Sequence, residues 1–384
     1  MARNVSLSGD MDNNSALNAY NSTINNNLKE AGNDIALVER YAVPIICTLG
    51  LLGNTMSFIV FIQKFLRQKS CSLFLAARSL SDNGFLITLM IMWTSSVFDL
   101  RLSRIAGICQ IIVFLTYVFG CLSVWLVVFV TTENYIRICK PFMVSSLCQT
   151  TKAKYAVIIL LICVLCCYNF PLWTMTEECI PNEKHHNFLK IMVYVDSVLT
   201  LVAPTAIMVF LMYRIAMSSL SSCKRRRRLS SSSSQRISNL TTKVTTMLLA
   251  VTLIFIALNL PLHVVRLRLL IISFIKDQLD ISTPLDLIIQ CISQLIYYLS
   301  LSVNFVIYYL FGSTFRKTFK GLFRGKTKNV YAQTEYSVIL SSKARKVGLG
   351  SQPATDGGIT NNNLLKPNDI NGERPLRRVR SSEM

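Results

Sequence analysis

An all-α membrane protein, a seven-transmembrane helix bundle with a short amphipathic helix on its cytosolic face, is the fold class that three observations predict. The chain of 384 residues is 52% hydrophobic with a mean hydropathy of +0.43, a level that soluble domains rarely sustain over such a length. Seven apolar runs lie near 40–65, 72–96, 109–139, 154–174, 188–217, 241–272 and 284–310, and each approaches the ~20 residues that cross a hydrocarbon core about 30 Å thick. The net charge of +20 is concentrated in alternate loops between these runs. That is the asymmetry of cytosolic loops beside a lipid bilayer, not the basic face of a nucleic-acid binder, so no nucleic-acid partner is expected.

Residues 1–39 are rich in Asn and Ser and have no apolar stretch of signal-peptide type. They are expected to form a disordered extracellular tail, glycosylated at the sequons that begin at Asn4, Asn13 and Asn21. Basic residues follow the first run (Lys64, Arg67, Lys69), flank the loop after the third (Arg137, Lys140, Lys152, Lys154) and the loop after the fifth (Arg214, Lys224, Arg225 to Arg228), and follow the seventh (Arg316, Lys317, Lys320). The opposite loops are poorer in Lys and Arg, which puts the N-terminus outside and the C-terminus in the cytosol of a plasma-membrane protein. Residues 40–323 would be the helix bundle with its surface helix, and 324–384 a polar, disordered cytosolic tail.

Within the bundle the first run holds Gly53-Asn54, a polar break. The second holds Asp82, and a carboxylate inside an apolar helix is a candidate functional group by default; the alternative is an acid that is simply protonated when buried. The third run is uncharged from Gln110 to Thr132, about 35 Å of helix, with Cys109 at one mouth and Glu133-Asn134-Tyr135 at the other. Arg137 follows three residues after Asn134, on roughly the same face. The fifth run carries Pro204. The fifth-to-sixth loop is low-complexity, and its Arg227-Arg228-Leu229-Ser230 reads as a basophilic-kinase site at Ser230. The sixth carries Phe255, Asn259 and Pro261, then His263 and Arg266 on one face beyond the proline. The seventh ends in Asn304-Phe305-Val306-Ile307-Tyr308, followed by the basic amphipathic stretch FGSTFRKTFKGLF. No cysteine pattern of a zinc site and no Ser-His-Asp, His-Glu-x-x-His or phosphate-loop motif is present, so an enzyme is not expected.

Taken in order from residue 40 to 323, these strings resemble the rhodopsin-like (class A) G-protein-coupled receptors. That family has acid-Arg-Tyr where this chain has Glu133-Asn134-Tyr135. It has Phe-x-x-Cys-Trp-x-Pro where this chain keeps Phe255 and Pro261 but has Asn259 for the tryptophan, and Asn-Pro-x-x-Tyr where this chain has Asn304, Phe305 and Tyr308. Pro261, His263 and Arg266 resemble the peptide receptors of the ghrelin, neurotensin and thyroliberin group, and Asn-Leu-Pro in the sixth run resembles invertebrate neuropeptide receptors. The resemblance implies a Cys109–Cys179 disulfide, which would pin the third helix to the loop over the ligand pocket. It implies a sodium or water site at Asp82, Ser123 and Asn304, and no other cofactor.

The resemblance further implies an activation switch through Glu133, Asn134, Tyr135, Arg137, Phe255, Asn259, Pro261 and Tyr308. Its partners would be an extracellular peptide ligand, a heterotrimeric G protein and arrestin. The amine-binding aspartate would fall at Thr116 and the retinal lysine near Tyr298, so a peptide is the expected ligand, held by Gln110, Thr116, Tyr117, His263, Arg266, Gln294 and Tyr297. Arg266 would meet a carboxylate or amide oxygen, or else snorkel to the headgroups. With Asn at position 134, the lock on Glu133 should be weak, and Arg137 either makes the G-protein contact or is a topology charge. Two other readings stay open: a decoy receptor of the same fold that does not signal, and, more distantly, a transporter or channel, for which the internal repeats and interrupted midplane helices are missing.

Overall fold

The computed structural model describes residues 6–100, 105, 107–176, 180, 182–228, 249–265, 267–268 and 284–323. All lie in one compact unit, Met1–Val330; the second unit, Tyr331–Met384, lies outside the described residues. The order of elements is α1 (Ser6–Phe61), α2 (Ser70–Val97), α3 (Ile108–Cys139) and α4 (Thr150–Cys167). Then come α5, in three consecutive segments (His186–Ser197, Val198–Val202, Ala203–Arg228), and α6 (Leu249–Val265). The last are α7 (Pro284–Ser302 continuing as Asn304–Phe311) and α8 (Ser313–Phe323).

Among the described residues five helices are long and apolar enough to cross a bilayer: Leu28–Phe61, α3, Thr150–Thr174, Glu183–Ser218 and Pro284–Ser302. Helix α2 has the length but carries Arg78 and Asp82 inside it, and the described part of α6 is short. Apolar side chains on the outside, such as Ile158, Ile159 and Ile162 of α4, are exposed as a lipid-facing surface requires.

One expectation changes here. Residues 1–39 were expected to be a disordered tail, yet α1 is helical from Ser6. No proline interrupts the chain before Pro44, and the helix formers of LKEA and IALVER carry the turns upstream of the apolar run. The glycosylation candidates Asn13 and Asn21 lie on this helix, while Asn4 and the phosphorylation candidate Ser230 lie outside the described residues.

Small residues and buried amides set the spacing of the bundle. A Cβ on Gly84 would sit 2.6 Å from three ring atoms of Phe119, so any larger residue there must displace that ring from between α2 and α3, and Ser81 Oγ donates to the Phe119 carbonyl at 2.8 Å. On α1, Asn54 Nδ2 donates to the Leu301 carbonyl at 2.9 Å, and Ser302 Oγ donates back to Ile46 O at 3.0 Å, tying α1 to α7. Gly50 leaves room for Ser302: an added Cβ would stand 2.4 Å from its Oγ.

In α5 the five residues Val198–Val202 form a π turn ahead of Pro204. The wider turn accommodates a residue that cannot donate a backbone hydrogen bond, and the Leu199 carbonyl inside it accepts from Trp125 Nε1 of α3 at 3.0 Å. Helix α8 docks through Phe315, which is 2% exposed and meets Phe61 and Tyr308 at ring distances of 5.2 and 5.7 Å.

Candidate functional site

Two features of the bundle can do chemistry: a cavity toward the end where α3 begins, and a polar cluster further along α3. The cavity has a volume of about 580 Å³ and is lined by α2, α3, α5, α6 and α7. Thr116 and Tyr117 reach it because Gly120 and Cys121, one turn further, leave the space open. Tyr117 stacks on Tyr168 at 5.5 Å, and the Tyr168 hydroxyl donates to Asp196 Oδ1 at 2.8 Å. Asp196 is the single carboxylate among the lining residues; Lys190 and His263 supply basic groups. Gln294 Nε2 donates to the Tyr298 hydroxyl at 2.6 Å, and Tyr297 packs edge-on against Phe85. The lining is otherwise aromatic and aliphatic, as pockets for organic ligands are.

In the polar cluster, Asp82 is fully buried. Its Oδ1 accepts from Ser123 Oγ of α3, and its Oδ2 accepts from Asn304 Nδ2 of α7 at 2.7 Å. One turn before it on α2, Arg78 is 1% exposed, with Nε 3.6 Å from Asp82 Oδ2. The guanidinium carbon stands 5.2 Å from the centre of the Phe255 ring of α6. Nearer the end of α3, Glu133 is 4% exposed and accepts from Ser70 Oγ at 2.6 Å and from Arg137 Nε at 3.1 Å. Asn134 is wholly buried, and neither atom of its amide has a hydrogen bond among the described residues. At the start of α2, Lys69 lies over the Phe65 ring at 4.8 Å, and burial holds its pKa below the ordinary lysine value.

A family model described as the 7 transmembrane receptor (rhodopsin family) matches residues 53–308, from α1 to the end of α7. The chain belongs to the rhodopsin family of seven-transmembrane receptors. The receptor is 28% identical over 138 residues to an FMRFamide peptide receptor of Caenorhabditis elegans, which covers 34% of this chain and 31% of that protein. It is 26% identical over 307 residues to an FMRFamide receptor of Drosophila melanogaster, covering 73% of this chain and 53% of the other. The chain thus spans between about a third and about a half of the length of these relatives.

Of the ligand-binding candidates, the receptor's cavity brings together Thr116, Tyr117, His263, Gln294 and Tyr297. Gln110 is not among its lining residues; it donates to the Met175 and Thr176 carbonyls at 3.4 and 3.3 Å, because its place in the first turn of α3 puts it under the loop. Arg266 and Cys179 lie outside the described residues, while Cys109 is disulfide-bonded. Asp196 was not singled out from the sequence, although a lone acid in an apolar helix eight residues before Pro204 was a signal.

Of the switch candidates, Phe255 and Asn259 are buried in α6. Asn259 Nδ2 donates to the Phe255 carbonyl at 2.7 Å, and its Oδ1 accepts from Ser300 Oγ of α7 at 3.4 Å. Pro261 lies two residues further on in the helix, and Tyr308 is fully buried against Phe61. As expected, Asn134 does not hold Glu133, its amide making no hydrogen bond among the described residues; Glu133 pairs instead with Arg137, four residues on, because a four-residue spacing stacks the two side chains on one face. Tyr135 is part-buried, two residues from each of them and therefore on another face of the helix.

Asp82, Ser123 and Asn304 are brought together, but they do not fit a sodium ion. A guanidinium stands beside Asp82 Oδ2, and Asn304 turns its NH2, a donor and not a metal ligand, to the same oxygen. A second cation at about 4 Å from that guanidinium would be repelled by roughly 4 kcal/mol at an effective dielectric constant of about 20. Asp82 was singled out from the sequence, but Arg78, the other charge inside α2, was not. The signal was its spacing: one turn separates the two residues.

Proposed function

We propose that the chain is a plasma-membrane receptor, with its N-terminus outside, for an extracellular peptide, and that it passes peptide binding to a heterotrimeric G protein. The observation that carries this reading is the cavity: an aromatic-lined space holding one carboxylate, Asp196, set about 25 Å along α3 from the Glu133–Arg137 pair. The family supports receptor action, and the relatives' name spells the peptide Phe-Met-Arg-Phe-amide. A ligand of this class would place aromatic side chains against Tyr117, Tyr297 and Phe85. Its arginine would reach Asp196, whose carboxylate suits the planar fork of a guanidinium. The amidated end carries no charge for a basic group to neutralise, which leaves His263 as a hydrogen-bonding partner.

At the other end, Arg137 is the cation that would leave Glu133 and meet the G protein when α6 moves, since Asn134 carries no charge and is wholly buried.

The test expresses the chain in cells and measures G-protein activation by amidated peptides containing arginine, by the same peptides with citrulline, and by their free acids. Arginine peptides should act on the wild type and lose most of their potency on Asp196→Asn, at equal surface expression. Citrulline peptides should discriminate little between the two. Equal potency of arginine and citrulline peptides on the wild type refutes the role of Asp196. Binding without G-protein activation, in both the wild type and Asn134→Arg, would replace this reading with a receptor that does not signal.

A further inference from the structure

We propose that Arg78 is a built-in cation of the receptor core, holding the position at Asp82 that a free metal ion would otherwise occupy and linking α2 to α6 through the Phe255 ring. The inference goes beyond the peptide reading and stands whether or not that reading holds.

The placement follows from helix geometry. Arg78 and Asp82 are one turn apart on α2, so their side chains share a face, and that face points into the bundle: their exposures are 1% and 0%. A buried membrane charge requires a partner of opposite sign. Asp82 is that partner, with Nε 3.6 Å from Oδ2, a separation at which charges attract without a hydrogen bond. Nε and Nη1 make no hydrogen bond among the described residues. The guanidinium is therefore held by the carboxylate and by the negative face of Phe255 at 5.2 Å. These two partners belong to α2 and α6, and the carboxylate is tied in turn to α7 through Asn304.

A cation held in this way has two consequences. Asp82 is already neutralised, so the core has no requirement for sodium. Second, any outward movement of α6 takes the Phe255 face away from a buried charge, so Arg78 favours the arrangement with α6 packed in.

The experiment measures thermal unfolding of the full-length receptor, purified in detergent without ligand, in sodium chloride and in choline chloride at equal ionic strength. The wild type and Arg78→Lys should give the same midpoint in both salts. Arg78→Met leaves Asp82 uncompensated, so its midpoint should fall by several degrees in choline and recover in sodium. The double variant Arg78→Met with Asp82→Asn removes both charges; it should regain most of the wild-type midpoint and ignore the choice of salt. If Arg78→Met does not fold, the double variant decides: recovery of a folded receptor supports the proposal, and failure overturns it. A wild type stabilised by sodium over choline overturns it outright, as does an Arg78→Met variant that matches the wild type in both salts.

Discussion

Removing Arg137 tests the substitute lock on Glu133. The two side chains form an ion pair in which Glu133 is 4% and Arg137 24% exposed, and Glu133 keeps a second bond from Ser70 at 2.6 Å. Two unit charges about 3 Å apart at an effective dielectric constant of about 20 attract by roughly 5 kcal/mol. The rotamer entropy of the arginine, about 2 kcal/mol, and the partial desolvation of both groups offset more than half of this. A net contribution of about 2 kcal/mol remains, close to a thirtyfold change in an equilibrium. In a bundle of this size that corresponds to a fall of roughly 3 °C in unfolding midpoint for Arg137→Ala. The assay is a double-mutant cycle with Glu133→Gln, read by thermal unfolding of the purified receptor. Once Glu133 is neutral, Arg137 has no charge to pair with, so the double variant should lie well above the sum of the two single losses. Additivity within about 0.5 kcal/mol would refute the reasoning, because the pair would then contribute nothing beyond two independent side chains.

Two further outcomes are expected. Gly84→Val should abolish surface expression, since an added Cβ meets the Phe119 ring at 2.6 Å, and Phe119→Ala in the same chain should restore part of it; flow cytometry of a tagged receptor reads both. Phe315→Ala removes a 2%-exposed ring from between Phe61 and Tyr308 and should cost about 3–5 kcal/mol, measured as a lowered unfolding midpoint and faster proteolysis after Phe311.

The fold was legible because a bilayer leaves few alternatives. Uncharged runs such as Gln110–Thr132 have one way to satisfy their backbone in lipid, and loop charges fix the expected order of crossing. Pairings inside the bundle were less legible, because they depend on rotation about each helix axis. Asp82, Ser123 and Asn304 could be placed from a resemblance, but Arg78 could not, since the same resemblance offers a metal ion where this chain has a guanidinium. Arg137 was read as a G-protein contact or a topology charge from its distance to Asn134; its distance to Glu133, a whole turn, is the spacing that pairs it in the structure. Gln110 lies on the third helix as expected, yet it is so near the helix start that loop carbonyls, not the cavity, take its amide.

The π turn at Val198–Val202 separates two phases of one helix. Each additional residue in a helix advances its faces by about 100°, so the outer part of α5, which turns Asp196 to the cavity, is clocked independently of the inner part, where Met208 packs against α3 at 1% exposure. The outer wall can therefore be re-aimed by gain or loss of a single residue without disturbing the packed inner seam. The shape of the cavity wall and the packing of the bundle are thereby set by separate stretches of one continuous helix.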